Sequence, residues 1–153
     1  MKINNIDIKI IDSKIGSIFP IPNYITKGSS GIDLIACIDK KKKIKPNKVK
    51  LVSTGLAIYI KDPNIFAIIT PRSGLGHNNG IILGNTIGII DSDYQGEIMI
   101  SVLNRSNNIF EIKPGYRIAQ IIFLPLIKVK FNLVKKFKLS KRGNKGIGHS
   151  GLI

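Results

Sequence analysis

The sequence predicts an all-β fold, a sandwich or barrel of many short strands. Three observations carry that prediction. Apolar runs are short and rich in Ile and Val, turn signals separate them along the whole chain, and no segment sustains a 3.6-residue apolar period. With 153 residues, the chain suits one domain with a sizeable core.

The elements follow in order. Residues 3–11 alternate apolar and polar side chains, as a strand with one buried face does. Pro20, Pro22 and the glycine-containing residues 28–31 then interrupt the chain before an apolar run near 32–38. The lysines at 40–43 read as a solvated turn between strands, and Pro46-Asn47 as a further turn. Apolar runs near 49–52 and 55–60 lead to Asp62-Pro63, and another covers 65–70. One helical turn near residues 73–79 is the best helix candidate. Runs near 81–83, 87–90, 97–103, 109–112 and 117–127 come next, with turn signals at 104–108 and Pro114-Gly115. A last run near 129–134 closes the β domain, taken as residues 1–134. Residues 128–141 read as a lysine-rich solvated strand edge and tail. Residues 135–153 carry Gly143, Gly146, Gly148 and Gly151 and little apolar content, too little to order alone. They are either a frayed tail or an arm that orders over a ligand or a neighbouring subunit.

Composition narrows the class. The net charge of +15 points toward nucleic acid or another anionic surface. A simpler cause competes with that one. Ile (33), Lys (20) and Asn (13), all with AT-rich codons, outnumber Ala (4) and Arg (4), so coding bias and a functional basic surface are equally good sources of the charge. Nucleic-acid binding also lacks its usual mark, aromatics interleaved with Lys and Arg on one face. No run of 18 apolar residues exists and the N-terminus has no signal-peptide pattern, so a cytoplasmic protein without membrane attachment is expected. The single cysteine, Cys37, can form neither an intrachain disulfide nor a metal cluster alone and reads as a buried small hydrophobe.

Three segments have chemistry to offer. Only nine residues are acidic, and two of them, Asp91 and Asp93, stand two apart in residues 88–97, Gly-Ile-Ile-Asp-Ser-Asp-Tyr-Gln-Gly-Glu, a segment that ends on a third, Glu97. In extended chain the two carboxylates point the same way. They could bind a cation, or one could activate water while the other orients it. An ordinary Asp-rich hairpin turn has the same composition. Residues 71–76, Pro-Arg-Ser-Gly-Leu-Gly, offer phosphate oxygens the donor fork of Arg72, the Ser73 hydroxyl and backbone N–H groups freed by Gly74 and Gly76. This is not a Walker A loop. Residues 115–120, Gly-Tyr-Arg-Ile-Ala-Gln, place Arg117 and Gln120 in an apolar run, as a strand-edge salt bridge or as ligand contacts. His77 and His149 have no metal-ligand spacing with Cys37, and no Ser-His-Asp order stands out, so a zinc site or a covalent hydrolase has little support.

Taken together, the segments resemble the five ordered motifs of the trimeric deoxyuridine triphosphatase (dUTPase) family. They are Ser-Gly-Ile-Asp-Leu-Ile-Ala at 30–36, residues 71–76, Gly84-Asn85 running into 88–97, residues 115–120, and Arg-Gly-Asn-Lys-Gly-Ile-Gly-His-Ser-Gly at 142–151. The text around them, Thr-Gly-Leu-Ala at 54–57 and Phe-Asn-Leu-Val at 131–134, is similar to bacterial members. The resemblance implies a jelly-roll-like β fold, a C-terminal arm exchanged onto a neighbouring subunit, and a homotrimer with three shared active sites. It implies hydrolysis of dUTP to dUMP and pyrophosphate with Mg²⁺, which keeps uracil out of DNA and supplies dUMP for thymidylate synthesis. Carried over position by position, Asp91 activates the attacking water and Tyr94 packs on the deoxyribose. Asn85, with the backbone of Ile89 and Ile90, lines the uracil pocket, and Met99 lies nearby. Arg72, Ser73, Gly74 and Gln120 hold the phosphates. Asp33 belongs to a polar network touching the metal only through water, and Arg142 and Ile147 lie on the arm that closes over the substrate.

Three positions depart from the family pattern. Ile147 stands where the arm usually carries an aromatic that stacks on uracil, Lys145 replaces a usual glycine, and Tyr116 replaces an acidic or polar residue. A dCTP deaminase of the same fold is the nearest alternative, but residues 91–96 resemble the hydrolase. A non-catalytic basic β-domain is a second alternative, from a different class.

Overall fold

A computed structural model describes residues 5–147 and 149. The short apolar runs become ten strands among the described residues: β1 (Asp7–Ile10), β2 (Ile32–Ile35), β3 (Lys42–Ile44), β4 (Lys48–Tyr59), β5 (Ile65–Thr70), β6 (Ile81–Leu83), β7 (Gly88–Ile90), β8 (Glu97–Asn104), β9 (Phe110–Ile112) and β10 (Arg117–Pro125). One helix, α1 (Ser73–Asn79), follows β5, where the single helical turn was expected. The strands form a four-stranded sheet in the order β1-β4-β8-β6, a second in the order β2-β10-β5-β7, and the ribbon β3-β9. The pairings are antiparallel throughout, as jelly-roll folds require. Among the described residues, no helix is long and apolar enough to cross a membrane.

Alternation places the core between the two large sheets. On β8, Ile98, Ile100 and Val102 point inward against Leu34, Val52, Leu56, Ile69 and Ile121. Burying each such side chain stabilises the fold by roughly 1.5–3 kcal/mol. A one-residue slip of β8 would turn all three out, so the register is strongly specified. Two buried polar side chains tie strands together. The Thr54 hydroxyl donates to the Ile98 carbonyl (2.6 Å), and the Asn104 amide donates to the carbonyls of Ile44 (2.9 Å) and Asn108 (2.7 Å).

The structure departs from the sequence reading in three places. The lysines at 40–43 are not simply a turn. Lys42 and Lys43 enter β3 opposite Ile112 and Glu111, because Ile44 is fully buried and draws the strand in. The runs near 49–52 and 55–60 are one strand, β4, broken only by a bulge. There Ser53 pairs with Met99 and Ala57 with Glu97, and Gly55 takes a positive φ of 71°. A Cβ at Gly55 would lie 2.7 Å from the Cys37 sulfur, so the glycine also makes room for that buried thiol. Burial pushes the Cys37 thiol pKa up, helped by the nearby Asp12 charge. This suits the expected small hydrophobe. Finally, the run at 129–134 has no strand partner among the described residues. Leu126 N–H still bonds the Asn64 carbonyl (2.7 Å), but Ile127, Val129, Phe131 and Leu133 beyond it are exposed.

Candidate active site

Two groups of candidate residues form, one at each end of β5. The first surrounds the turn between β7 and β8. Ile89, Ile90, Asp91, Tyr94 and Met99, all singled out from sequence, line an open cleft of about 250 Å³ with Glu97 and Ile98. Strand β7 is the last of its sheet, so one edge of its backbone has no strand partner among the described residues. Residues 91–94 form a tight turn, with Tyr94 N–H donating to the Asp91 carbonyl (3.2 Å). The extended-chain argument that aligned Asp91 with Asp93 therefore does not apply, because Ser92 and Asp93 lie within this turn. Asp91 is exposed at the cleft.

Tyr94 is held from below. Its hydroxyl donates to the Glu97 carbonyl (3.0 Å), and its ring lies so close over Gly96 that any Cβ there would collide with it. A glycine is needed at 96 for this close approach. Glu97 in turn accepts a short hydrogen bond from the Ser53 hydroxyl and another from Gly55 N–H (3.0 Å). Sequence reasoning assigned Glu97 no role. It sat within a flagged segment, but nothing in the sequence places it opposite the bulge of β4.

The second group lies across β2, β10 and β5. Gln120 pairs with Asp33 on one side and with Thr70 on the other, so the three form a row across the sheet. Arg72 Nε donates to Asp33 Oδ1 (2.8 Å), and an Arg117 guanidinium nitrogen lies 3.3 Å from Oδ2. Two cations on one half-buried carboxylate leave a net positive charge facing outward. Arg117 thus makes the salt bridge, one of the two roles left open for it. The Gln120 amide donates to the Pro71 carbonyl (3.1 Å). A Cβ at Gly31 would sit 2.7 Å from Gln120 Oε1, which explains the glycine beside Asp33. Ser73 and Gly74 open α1 and are exposed. The buried Thr70 hydroxyl, which sequence reasoning passed over, has no hydrogen-bond partner among the described residues.

The remaining candidates join neither group within one chain. Asn85 is in the turn between β6 and β7, where its carbonyl accepts Ile87 N–H (2.6 Å), and it does not line the cleft. The Arg142 guanidinium bonds the carbonyls of Lys145 (2.9 Å) and Gly146 (3.4 Å), closing a local loop in the tail. Ile147 is fully exposed. Motif residues 148, 150 and 151 lie outside the described residues.

Register gives the separation of the groups. Ile90 pairs with Ala67, so Asp91 leaves the N-terminal end of β5, while Thr70 ends the strand and Arg72 lies past it. From Asp91 to the Gln120–Thr70 level is about four strand steps, ~13 Å, with two strand spacings, ~10 Å, between β7 and β10. One phosphate group cannot touch both groups in a single chain.

Mg²⁺, which the motif pattern implies, fits this donor set in one way. No three His, Cys, Asp or Glu side chains converge among the described residues. An all-protein cage is thus not on offer, and phosphate oxygens and water are the natural ligands. Asp33 keeps lone pairs beyond its two arginine contacts, enough to hold a water.

With this geometry in place, the comparisons are direct. The family model for dUTPase matches residues 18–151. The chain is 56% identical over 146 residues to the deoxyuridine 5'-triphosphate nucleotidohydrolase of Histophilus somni (strain 2336), covering 95% of this chain and 97% of the relative. The enzyme of that name from Escherichia coli O7:K1 matches with the same identity and coverage. Among solved structures, the Staphylococcus bacteriophage 80alpha dUTPase with dUpNHpp superposes with a TM-score of 0.81 at 21% identity, covering 98% of this chain and 100% of that one. A mutant dUTPase from phage phi11 of S. aureus, whose structure details coordination of a structural Mg(II) ion, gives 0.75 at 17% identity over 89% and 100%. The fold is therefore that of a jelly-roll nucleotide hydrolase. The chain belongs to the dUTPase family.

Proposed function

We propose that this enzyme hydrolyses dUTP to dUMP and pyrophosphate in the cytoplasm, with Asp91 activating a water for in-line attack on the α-phosphorus. The observation that carries the reading is the cleft in which Asp91, Tyr94, Met99 and the open edge of β7 meet. The outward-facing N–H and C=O groups along the open edge of β7, which alternate at Ile89 and Ile90 with those turned to β5, can pair with the uracil edge as a base would. An amino group at C4 would then face a donor and leave it unpaired, a strong basis for rejecting cytosine. The Tyr94 ring, fixed by its hydroxyl and by Gly96, forms a wall against the deoxyribose that leaves no room for a 2′-hydroxyl. Asn85, in the turn before β7 and outside the cleft lining of the single chain, would have to reach the uracil when substrate is bound. Arg72, Ser73, Gly74 and Gln120 hold the phosphates. Mg²⁺ would be held through phosphate oxygens and water, with Asp33 reaching it only through water, and would supply neutralisation of phosphate charge. The chain's own part in the reaction is positioning, proton acceptance and charge stabilisation. The product dUMP feeds thymidylate synthesis, and removal of dUTP keeps uracil out of DNA.

The ~13 Å and ~10 Å offsets between the two groups favour a site shared between subunits. A second copy brings its Arg72 group to the Asp91 cleft of the first, and a tail brings Arg142 and Ile147. The outer face of the β1-β4-β8-β6 sheet exposes Val49, Leu51 and Met99, apolar surface suited to burial between copies. The exposed alternation of Ile127, Val129, Phe131 and Leu133 fits a strand exchanged onto a neighbour. The functional unit is a homotrimer. Sedimentation at assay concentration should give the mass of about three chains of 16.8 kDa. A fully active monomer would refute the shared site.

Substrate choice tests the reading of the cleft. Pyrophosphate release measured in parallel from dUTP, dTTP, dCTP and UTP should be strong for dUTP alone. Comparable release from dCTP or UTP would contradict the uracil and deoxyribose contacts assigned here.

Ile147 yields a further prediction. Aromatic stacking on a base contributes roughly 1–3 kcal/mol by alanine substitution. Ile already covers apolar surface, so Ile147→Phe should tighten a non-hydrolysable dUTP analogue by about 0.5–1.5 kcal/mol, up to roughly tenfold. Calorimetry should rank Phe above Ile above Ala at 147. Three equal affinities would mean that the arm does not reach the base.

A further inference from the structure

We propose that Glu97 is a positioning residue for sugar discrimination: its carboxylate pins the start of β8, whose carbonyl holds the Tyr94 ring against the sugar. The inference rests on the reading of Tyr94 as the wall that excludes a 2′-hydroxyl.

The bulge in β4 creates the need for this anchor. Between the pairs Ser53–Met99 and Ala57–Glu97, β4 spends four residue steps where β8 spends two. Regular ladder bonds are lost over that stretch, just where β8 emerges from the turn that carries Asp91 and Tyr94. Glu97 fills the gap with its side chain. One carboxylate oxygen accepts both the Ser53 hydroxyl and the Gly55 N–H. The same residue's main-chain carbonyl accepts the Tyr94 hydroxyl (3.0 Å). Side chain and carbonyl of one residue thus connect the β4 bulge to the Tyr94 ring. The bulge itself is fixed from behind, since the Gly55 carbonyl accepts the N–H groups of Ile11 (2.9 Å) and Asp12 (3.0 Å).

The interaction needs an acceptor at position 97, not a charge. Glu97→Gln keeps an amide oxygen for both donors. Glu97→Leu keeps the volume and removes the acceptor, leaving Gly55 N–H with only its longer bond to the Ser53 hydroxyl oxygen (3.2 Å). With its acceptor free to shift, the Tyr94 ring should admit a ribose more readily.

The test is kcat/KM for dUTP, UTP and dTTP in wild type, Glu97→Gln, Glu97→Leu and Ser53→Ala, with Tm measured for each. Glu97→Leu should lower the dUTP/UTP ratio about five- to tenfold, the scale of one lost hydrogen bond, and leave the dUTP/dTTP ratio unchanged. Glu97→Gln should retain both ratios. Ser53→Ala removes one donor and should lower the dUTP/UTP ratio by a smaller factor at nearly unchanged Tm, which keeps the idea testable if Glu97→Leu folds poorly. An unchanged dUTP/UTP ratio in Glu97→Leu, or in Ser53→Ala where Glu97→Leu does not fold, overturns the proposal. Equal losses against UTP and dTTP also overturn it, since that is general loosening. Loss of selectivity in Glu97→Gln overturns it by showing that charge is what matters. A wild type without preference for dUTP over UTP overturns the reading of Tyr94 itself, and is recognised before any variant is made.

Discussion

Asp91→Asn should lower kcat for dUTP by roughly 10²–10⁴-fold, the usual cost of losing a general base. Asn matches Asp in shape and still offers an oxygen that can accept a hydrogen bond, so the water can still be held. What it cannot do is take the proton as the oxygen–phosphorus bond forms. Affinity for a non-hydrolysable dUTP analogue should therefore change little, and the loss should appear in kcat, not in KM. Asp93→Asn is the internal control. Asp93 sits two residues away within the same turn but outside the cleft lining, so its substitution should leave kcat within a few-fold of wild type. Single-turnover measurement of both variants separates chemistry from binding. A near wild-type rate in Asp91→Asn would move the base to another group.

Deleting residues 135–153 should lower kcat/KM for dUTP by about 10²–10³-fold, the scale of removing a charge-stabilising donor from a closed site. In the single chain the described part of this tail bonds only to itself. Arg142 closes on Lys145 and Gly146, and Ile147 is fully exposed. Such a segment adds almost nothing to the folded domain, so Tm and the number of subunits in the assembly should stay those of the full chain. On the proposed reading its value lies in closing over the triphosphate, where Arg142 and Lys145 would meet negative charge and water would be excluded. Activity retained after truncation would make the tail a frayed end.

The parts of the fold legible in sequence were those set by local pattern. Short Ile and Val runs between Pro, Gly and Asn turns give antiparallel strands, and residues 73–79 give the one helix. Strand β3 was hidden because four consecutive lysines mask the pull of Ile44, whose burial depends on partners about 60 residues away. The join of two runs into β4 was hidden because the bulge at Gly55 looks like a break in the pattern.

The site divides in the same way. Residues on one turn, such as Asp91 and Tyr94, could be grouped from spacing and motif resemblance, and they line one cleft. Contacts between distant strands could not. Asp33 meets Arg72 and Arg117 only because β2 and β5 flank β10, and Glu97 meets Ser53 only across the β4 bulge. The sequence left Arg117 undecided between salt bridge and ligand contact, and a fold was needed to choose.

The central claim, attack by an Asp91-activated water on the α-phosphorus of dUTP, is tested most directly by running the reaction in ¹⁸O-labelled water. Mass spectrometry of the products should find the label in dUMP, with pyrophosphate unlabelled. Label in pyrophosphate, with dUMP unlabelled, would place the attack at the β-phosphorus and contradict the account.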